Sequence, residues 1–326
     1  MKNALELVVI SGKGGTGKTS LTASLACLAE RAVLADADVN ADDLHLILEP
    51  ATIKEESFIG GQKAKILPQR CHSCGKCLEL CRFEAVVAHG GDSRTGEKTF
   101  SIDRIACEGC AVCARFCPHE AIEMRDNISG RWFISRTRHG SMVHARLEVA
   151  QENSGRLVSL IREEAGRIAE EEGCPLIIID GPPGIGCPVI ASVTGSDFVL
   201  VMTEPTLSGL HDMQRAVELA AQFGIPTALC INKQDINPSI TGKIEKWSDR
   251  AGLKVLGKIS YDPVMIRAQL IGLSVMEYGP SKVAGEIGDL WEALKEEMHI
   301  QNDQKLVTAS PGLSVWKGAG SRDEER

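Results

Sequence analysis

Two groups of residues in this chain stand at spacings that do chemistry: glycines and lysines near the N-terminus, and cysteines further on. The stretch Gly12-Lys13-Gly14-Gly15-Thr16-Gly17-Lys18-Thr19-Ser20 lies between the apolar runs Leu5 to Ile10 and Leu21 to Leu28, where a strand turns into a helix. Glycines open backbone conformations closed to other residues, letting successive N–H groups curl around phosphate oxygens at the positive end of that helix. In this pattern Lys18 would hold terminal phosphates and Thr19 a magnesium ion, with the Ser20 hydroxyl next in reach of a phosphate. A plain tight turn does not need the flanking strand and helix; a phosphate loop does.

Cys71, Cys74, Cys77 and Cys81 form Cys-x2-Cys-x2-Cys-x3-Cys, and Cys107, Cys110, Cys113 and Cys117 repeat it 36 residues later, followed by Pro118. That is an internal duplication of one metal-binding unit. Three thiolates spaced in this way cap three corners of a cubane, and the fourth cysteine of each run reaches the other cluster. One 4Fe-4S cluster is therefore assigned to Cys71, Cys74, Cys77 and Cys117, the other to Cys107, Cys110, Cys113 and Cys81. Zinc competes, but structural zinc sites combine two cysteine pairs across a longer spacer. Arg82 stands where the second run has proline, a departure from the bacterial ferredoxin pattern that touches the turn more than the ligation. Cys27, Cys174, Cys187 and Cys230 read as buried free thiols.

Acids end two short apolar runs. Arg31 to Asp36 leads into Asp36-Ala37-Asp38 and on to Asp42-Asp43, and Pro175 to Asp180 leads into Gly181-Pro182-Pro183-Gly184. Carboxylates at the C-terminal ends of parallel strands face the ligand crevice. Asp180 is placed to hold magnesium through water. His139 and His144, without a paired carboxylate in sequence, read as structural.

The elements that must position these groups alternate along the chain. A strand from Asp197 to Met202 precedes a helix from Leu210 to Phe223, and a strand from Thr227 to Ile231 precedes a helix from Ile240 to Ala251. A strand from Lys254 to Ile259 and a helix from Lys282 to Met298 follow. Arg131 to Ser135 reads as a strand, and Leu147 to Glu172 contains an amphipathic helix. With 326 residues, 43% of them hydrophobic and only 4% aromatic, the core is built from Ala, Val, Ile and Leu in one large domain plus a smaller one. A net charge of −8 argues against nonspecific nucleic-acid binding. No run of about 18 apolar residues and no signal-peptide pattern is present, so the expectation is a cytoplasmic protein without a membrane partner, its cysteines serving metal and not disulfides.

The pattern Lys13-Gly14-Gly15-Thr16-Gly17-Lys18-Thr19 resembles the deviant Walker A motif of the MinD, ParA, Mrp and nitrogenase iron protein group. The resemblance implies ATP as ligand and an ATP-dependent homodimer, or a heterodimer with a paralogue, in which Lys13 reaches the partner's nucleotide. It further implies Asp38 as the residue orienting the attacking water, Asp180 as the Walker B acid, and Asn232 and Pro263 against the adenine. Residues 68 to 124 resemble a complete two-cluster ferredoxin.

The expected fold is α/β, a mostly parallel SIMIBI-class, MinD-like P-loop NTPase with an inserted α+β bacterial-type ferredoxin. Its parts are an ATPase at 1–65 and 127–300, an insert at 66–126 and a flexible tail at 301–326. The function it implies is an ATPase that uses ATP, magnesium and two 4Fe-4S clusters to pass electrons to a redox or metal-cofactor partner protein. A carrier or assembly ATPase, or a positioning and scaffold ATPase with structural clusters, is the alternative.

Overall fold

The computed structural model describes residues 4–90, 98–148 and 154–300. The first part of the chain forms β1 (Leu5–Ser11), α1 (Lys18–Leu28), β2 (Ala32–Asp36), α2 (Leu44–Leu48), β3 (Ala51–Ile66), α3 (Lys76–Leu80), β4 (Val86–His89), β5 (Thr99–Ile102), α4 (Val112–Arg115), β6 (Ile122–Thr137) and β7 (Gly140–Leu147). The second part forms α5 (Ser154–Glu172), β8 (Leu176–Pro183), α6 (Cys187–Val193), β9 (Phe198–Thr203), α7 (Leu207–Gln222), β10 (Thr227–Asn232), α8 (Pro238–Ala251), β11 (Val255–Ile259), α9 (Val264–Gln269), α10 (Val275–Tyr278) and α11 (Lys282–Glu297).

The main sheet runs in the order β11-β10-β9-β1-β8-β2-β7-β6-β3. From β11 to β7 all pairs are parallel; β6 and β3 continue it antiparallel. The continuous apolar runs of β1, β2, β8, β9 and β10 are buried on both faces, as a sheet covered by helices on each side requires. One apolar layer packs α5, α7 and α8 through Leu157, Ile161, Met213 and Ile244; the other packs α1 and α11 through Leu21, Leu25, Ile287 and Leu294. The fold is the mostly parallel α/β arrangement expected from the alternation of runs. Among the described residues no helix is long and apolar enough to cross a membrane.

The expected strand at 131–135 lies in the second half of a 16-residue strand, β6, paired with the equally long β3 from Ala51↔Arg136 to Ile66↔Ile122. β6 therefore starts inside the range expected for the insert and runs without a break into the main sheet. The described residues between Ile66 and Ile122 sit at the far end of the part of this pairing that extends beyond β7, a two-stranded arm from Ile59↔Ile128 to Ile66↔Ile122 that spans about 25 Å. Within it β4 and β5 form a separate hairpin. The duplication extends to the backbone. Ser73 and Gly109, Gly75 and Ala111, and Glu84 and Glu120 form three pairs in the left-handed region, with φ between 47° and 76°. Two hydrogen bonds, Leu67 N to Ala121 O and Asp103 N to Ala85 O, are counterparts under the same offset. The tail expected at 301–326 lies outside the described residues.

Candidate functional site

The loop between β1 and α1 sits at the C-terminal edge of the parallel strands, where ligands of such sheets bind. Gly17 is the N-cap of α1 with φ 92°, no side chain caps the helix, and its first turn carries no acid. The first N–H groups of α1 are thus left for an anion. A Cβ at Gly17 would meet Asn232 Nδ2 at 2.6 Å, and one at Gly12 would meet Asp212 at 2.4 Å, so both positions require glycine. The Thr16 hydroxyl is buried in this loop without a partner.

A cleft of about 690 Å3 opens here, lined by Gly14, Gly15, Gly17, Lys18, Thr19 and Ser20 and faced by Asp38, Pro182 and Pro183. Thr19 Oγ1 donates to Asp180 Oδ2 at 2.7 Å and Thr22 Oγ1 to Asp180 Oδ1 at 3.2 Å. Lys18 Nζ lies 3.9 Å from Asp38 Oδ2. Asp36, the register neighbour of Asp180 across β2 and β8, is fully buried and accepts from the N–H groups of Asp38 and Leu44.

Burial, reinforced by the Asp180 charge, pushes the Asp36 carboxyl well above the ordinary range. Burial also raises Asp180, against the opposing pull of Lys18 and its two threonine donors. Asp38 rises to about 6 through burial, Lys18 pulling the other way. These acids, the threonine hydroxyl and the lysine form a donor set suited to a divalent cation and a polyphosphate, since both would relieve crowded carboxylates and an uncapped helix end.

Lys13 folds back within its own chain. Its Nζ pairs with Glu204 Oε1 at 2.5 Å and reaches the Ser208 and Thr206 hydroxyls at 3.3 and 3.4 Å. Glu204 also pairs with Lys233 at 3.3 Å; burial opposes ionisation, but the two lysines hold its carboxyl below the usual range. Asn232 is buried and donates from Nδ2 to Thr16 O at 2.7 Å, holding the phosphate loop from beneath. Neither Asn232 nor Pro263 is among the residues lining the cleft. Ile266, Gln269 and Leu270 line it instead, with Gln269 Nε2 donating to the Ser20 hydroxyl. No motif marks these residues, which arrive from almost 250 positions away.

At the end of the arm the eight cysteines line two cavities. Cys71, Cys74, Cys77 and Cys117 share one, Cys81, Cys107, Cys110 and Cys113 the other. Ala64, Ile66, Ala85 and Ile122 pack beneath them as a small apolar core. Burial raises the Cys77 and Cys113 thiols, and the neighbouring cysteines raise them further. Among the described residues no three His, Cys, Asp or Glu side chains converge as ligands of a single ion. A cubane takes one thiolate at each of four irons, so four cysteines around a cavity are the donor set it calls for.

His139 Nε2 pairs with the Glu277 carboxylate at 2.9 Å, a partner that sequence spacing did not show, and His144 Nε2 with the Ser135 hydroxyl at 3.0 Å; burial lowers His144 to about 4. Cys230 is buried, Cys27 and Cys174 half-buried, but Cys187 is exposed. The expectation of a buried thiol fails at Cys187, which is the first residue of α6 and sits exposed at that helix end.

The profile of the CobQ/CobB/MinD/ParA nucleotide binding domain matches residues 7–275. An uncharacterized protein of Methanocaldococcus jannaschii is 32% identical over 301 residues, covering 90% of this chain and 97% of that one. A Pyrococcus abyssi protein named iron-sulfur cluster carrier protein is 26% identical over 142 residues, covering 40% of this chain and 48% of its own. The septum site-determining protein MinD of Pyrococcus horikoshii, solved with Mg-ADP, shares the fold with a TM-score of 0.56 at 16% identity, over 92% of this chain and 99% of that one.

Proposed function

The chain belongs to the CobQ/CobB/MinD/ParA nucleotide-binding family, and we propose that this member is an ATPase that couples ATP binding and hydrolysis to electron transfer to a partner protein. The observation that carries this reading is a phosphate-binding cleft and two four-cysteine cavities in one polypeptide. The partial likeness to a protein named as an iron-sulfur cluster carrier supports an iron-sulfur link. The ATPase is the main sheet with its helices, and the two-cluster ferredoxin-like unit is the segment between Ile66 at the end of β3 and Ile122 at the start of β6.

The loop N–H groups and Lys18 bind the phosphates. Thr19 Oγ1 and Asp180 would hold magnesium, which supplies positive charge beside the transferring phosphoryl group. Asp38, as a carboxylate, accepts a hydrogen bond from the attacking water and orients it. Lys13 exchanges Glu204 for the nucleotide of a second subunit, a copy of this chain or a paralogue, when ATP closes the dimer. Cys71, Cys74, Cys77 and Cys117 would hold one 4Fe-4S cluster, and Cys107, Cys110, Cys113 and Cys81 the other; bound there, the clusters supply reversible one-electron carriage. The apolar residues beneath the cysteines exclude water from that side.

The test is anaerobic purification with metal and sulfide counting, together with magnesium-dependent ATP hydrolysis. The expected result is about eight irons per chain, with hydrolysis lowered at least about a hundredfold in Lys18→Ala while iron is unchanged. Zinc in place of iron, or hydrolysis indifferent to Lys18→Ala, overturns the reading.

A further inference from the structure

The 36-residue offset that relates the two cysteine runs also relates the rims of their cavities, and there the two halves differ in charge. Around Cys71, Cys74, Cys77 and Cys117 the rim carries His72, Lys76 and His119. The counterparts around Cys81, Cys107, Cys110 and Cys113 are Glu108, Val112 and Phe83. A cation and two imidazoles at one cavity are thus replaced by a carboxylate and two apolar side chains at the other. The His72 and His119 rings pack on each other with centroids 4.2 Å apart, so the two imidazoles share one side of their cavity's lining.

We propose that the two sites are electronically inequivalent and that a single electron given to the loaded protein rests at the Lys76 site. The inference depends on the 4Fe-4S reading above and adds a direction to it. Reduction adds one negative charge to a cluster. A nearby ammonium and N–H donors stabilise that charge, whereas a carboxylate opposes it and apolar groups leave it unsolvated. Rim side chains lie well within a Debye length of the cavity they line, so ordinary salt leaves much of the difference in place. The step balances simply: a one-electron reductant such as dithionite is oxidised, the cluster at the Lys76 site gains the electron, and no covalent bond or proton is required.

The test is an electron paramagnetic resonance-monitored redox titration of the anaerobically purified full chain, with iron counted on every sample. Two one-electron waves are expected, separated by at least a factor of ten in equilibrium constant, about 59 mV. Exchanging rim residues between the halves identifies them. Lys76→Val combined with His72→Glu lowers the upper wave and leaves the lower one in place, while Glu108→His raises the lower wave alone. If the double variant loses iron, Glu108→His remains an independent arm. Superposed waves in the parent protein, or an unmoved lower wave in iron-replete Glu108→His, overturn the inequivalence while leaving the cluster reading intact. A parent protein without iron overturns both.

Discussion

Asp38 lines the cleft with Asp36 and Asp180 buried close to it, and burial leads the rise of each of the three carboxyls above its ordinary range. Asp38 keeps its proton up to about pH 6 when folded, against 3.8 for the ordinary group. Between those values the folded chain binds more protons than the unfolded one. The stability Asp38 contributes is therefore present below pH 3.8 and lost as pH rises through about 6. The role proposed for it, orienting the attacking water, needs the ionised form, so kcat/KM, which reports the free enzyme, should rise as pH increases through about 6. A pH profile of ATP hydrolysis checks this: Asp38→Asn should lower the rate by about a hundredfold or more and flatten the acid limb. An acid limb that persists in Asp38→Asn would contradict the assignment. That Lys18, Thr19 and Asp180 come together was legible in sequence because the glycine-rich loop and the acid after an apolar run each have a fixed local pattern. Asp36 was not singled out, since alternation along Asp36-Ala37-Asp38 does not say which acid turns into the protein.

The β3–β6 arm makes the cysteine unit an appendage of the sheet edge and not part of its core. Ile66 and Ile122 face each other as register partners, so a short turn can join them in place of residues 67–121. Replacing that segment with Asn-Gly should leave nucleotide affinity within about threefold and the melting temperature within a few degrees, and should remove all bound iron. Loss of nucleotide binding in this deletion would show that the two units do not fold independently. Calorimetry and nucleotide titration on the deletion variant decide it. The arm was hard to read because the first half of β3, Ala51 to Ser57, is exposed and rich in charge. It is held by its pairing with β6 and shows no alternating apolar face. β7 was missed for a different reason: it lies between β2 and β6, but its run mixes apolar residues with the buried His144 and the exposed Arg146, so no continuous apolar stretch marks it. α2, at five residues, is too short to show a period. The strands and helices from β8 onward were legible because each is a buried apolar run or an amphipathic stretch of ordinary length.

Across the whole molecule, the wall of the cleft and the base of the arm are nearly continuous in chain. Asp38 and Asp43 line the cleft, α2 follows directly, and only Glu49 and Pro50 separate α2 from β3. Arg146 on β7 pairs with Asp42 at 3.1 Å, and Arg138, at the turn joining β6 and β7, donates to Ile47 O at the end of α2 at 2.8 Å. A shift of the Asp38–Asp43 segment on binding phosphates would be felt at both strands of the arm. The proposal that nucleotide state governs the cysteine sites rests on this connection, and a redox titration of the iron-replete protein with and without Mg-ATP tests it most directly. The account predicts that Mg-ATP shifts at least one cluster wave in the parent protein and shifts none in Lys18→Ala. Superimposable titrations of the parent protein with and without Mg-ATP would contradict it.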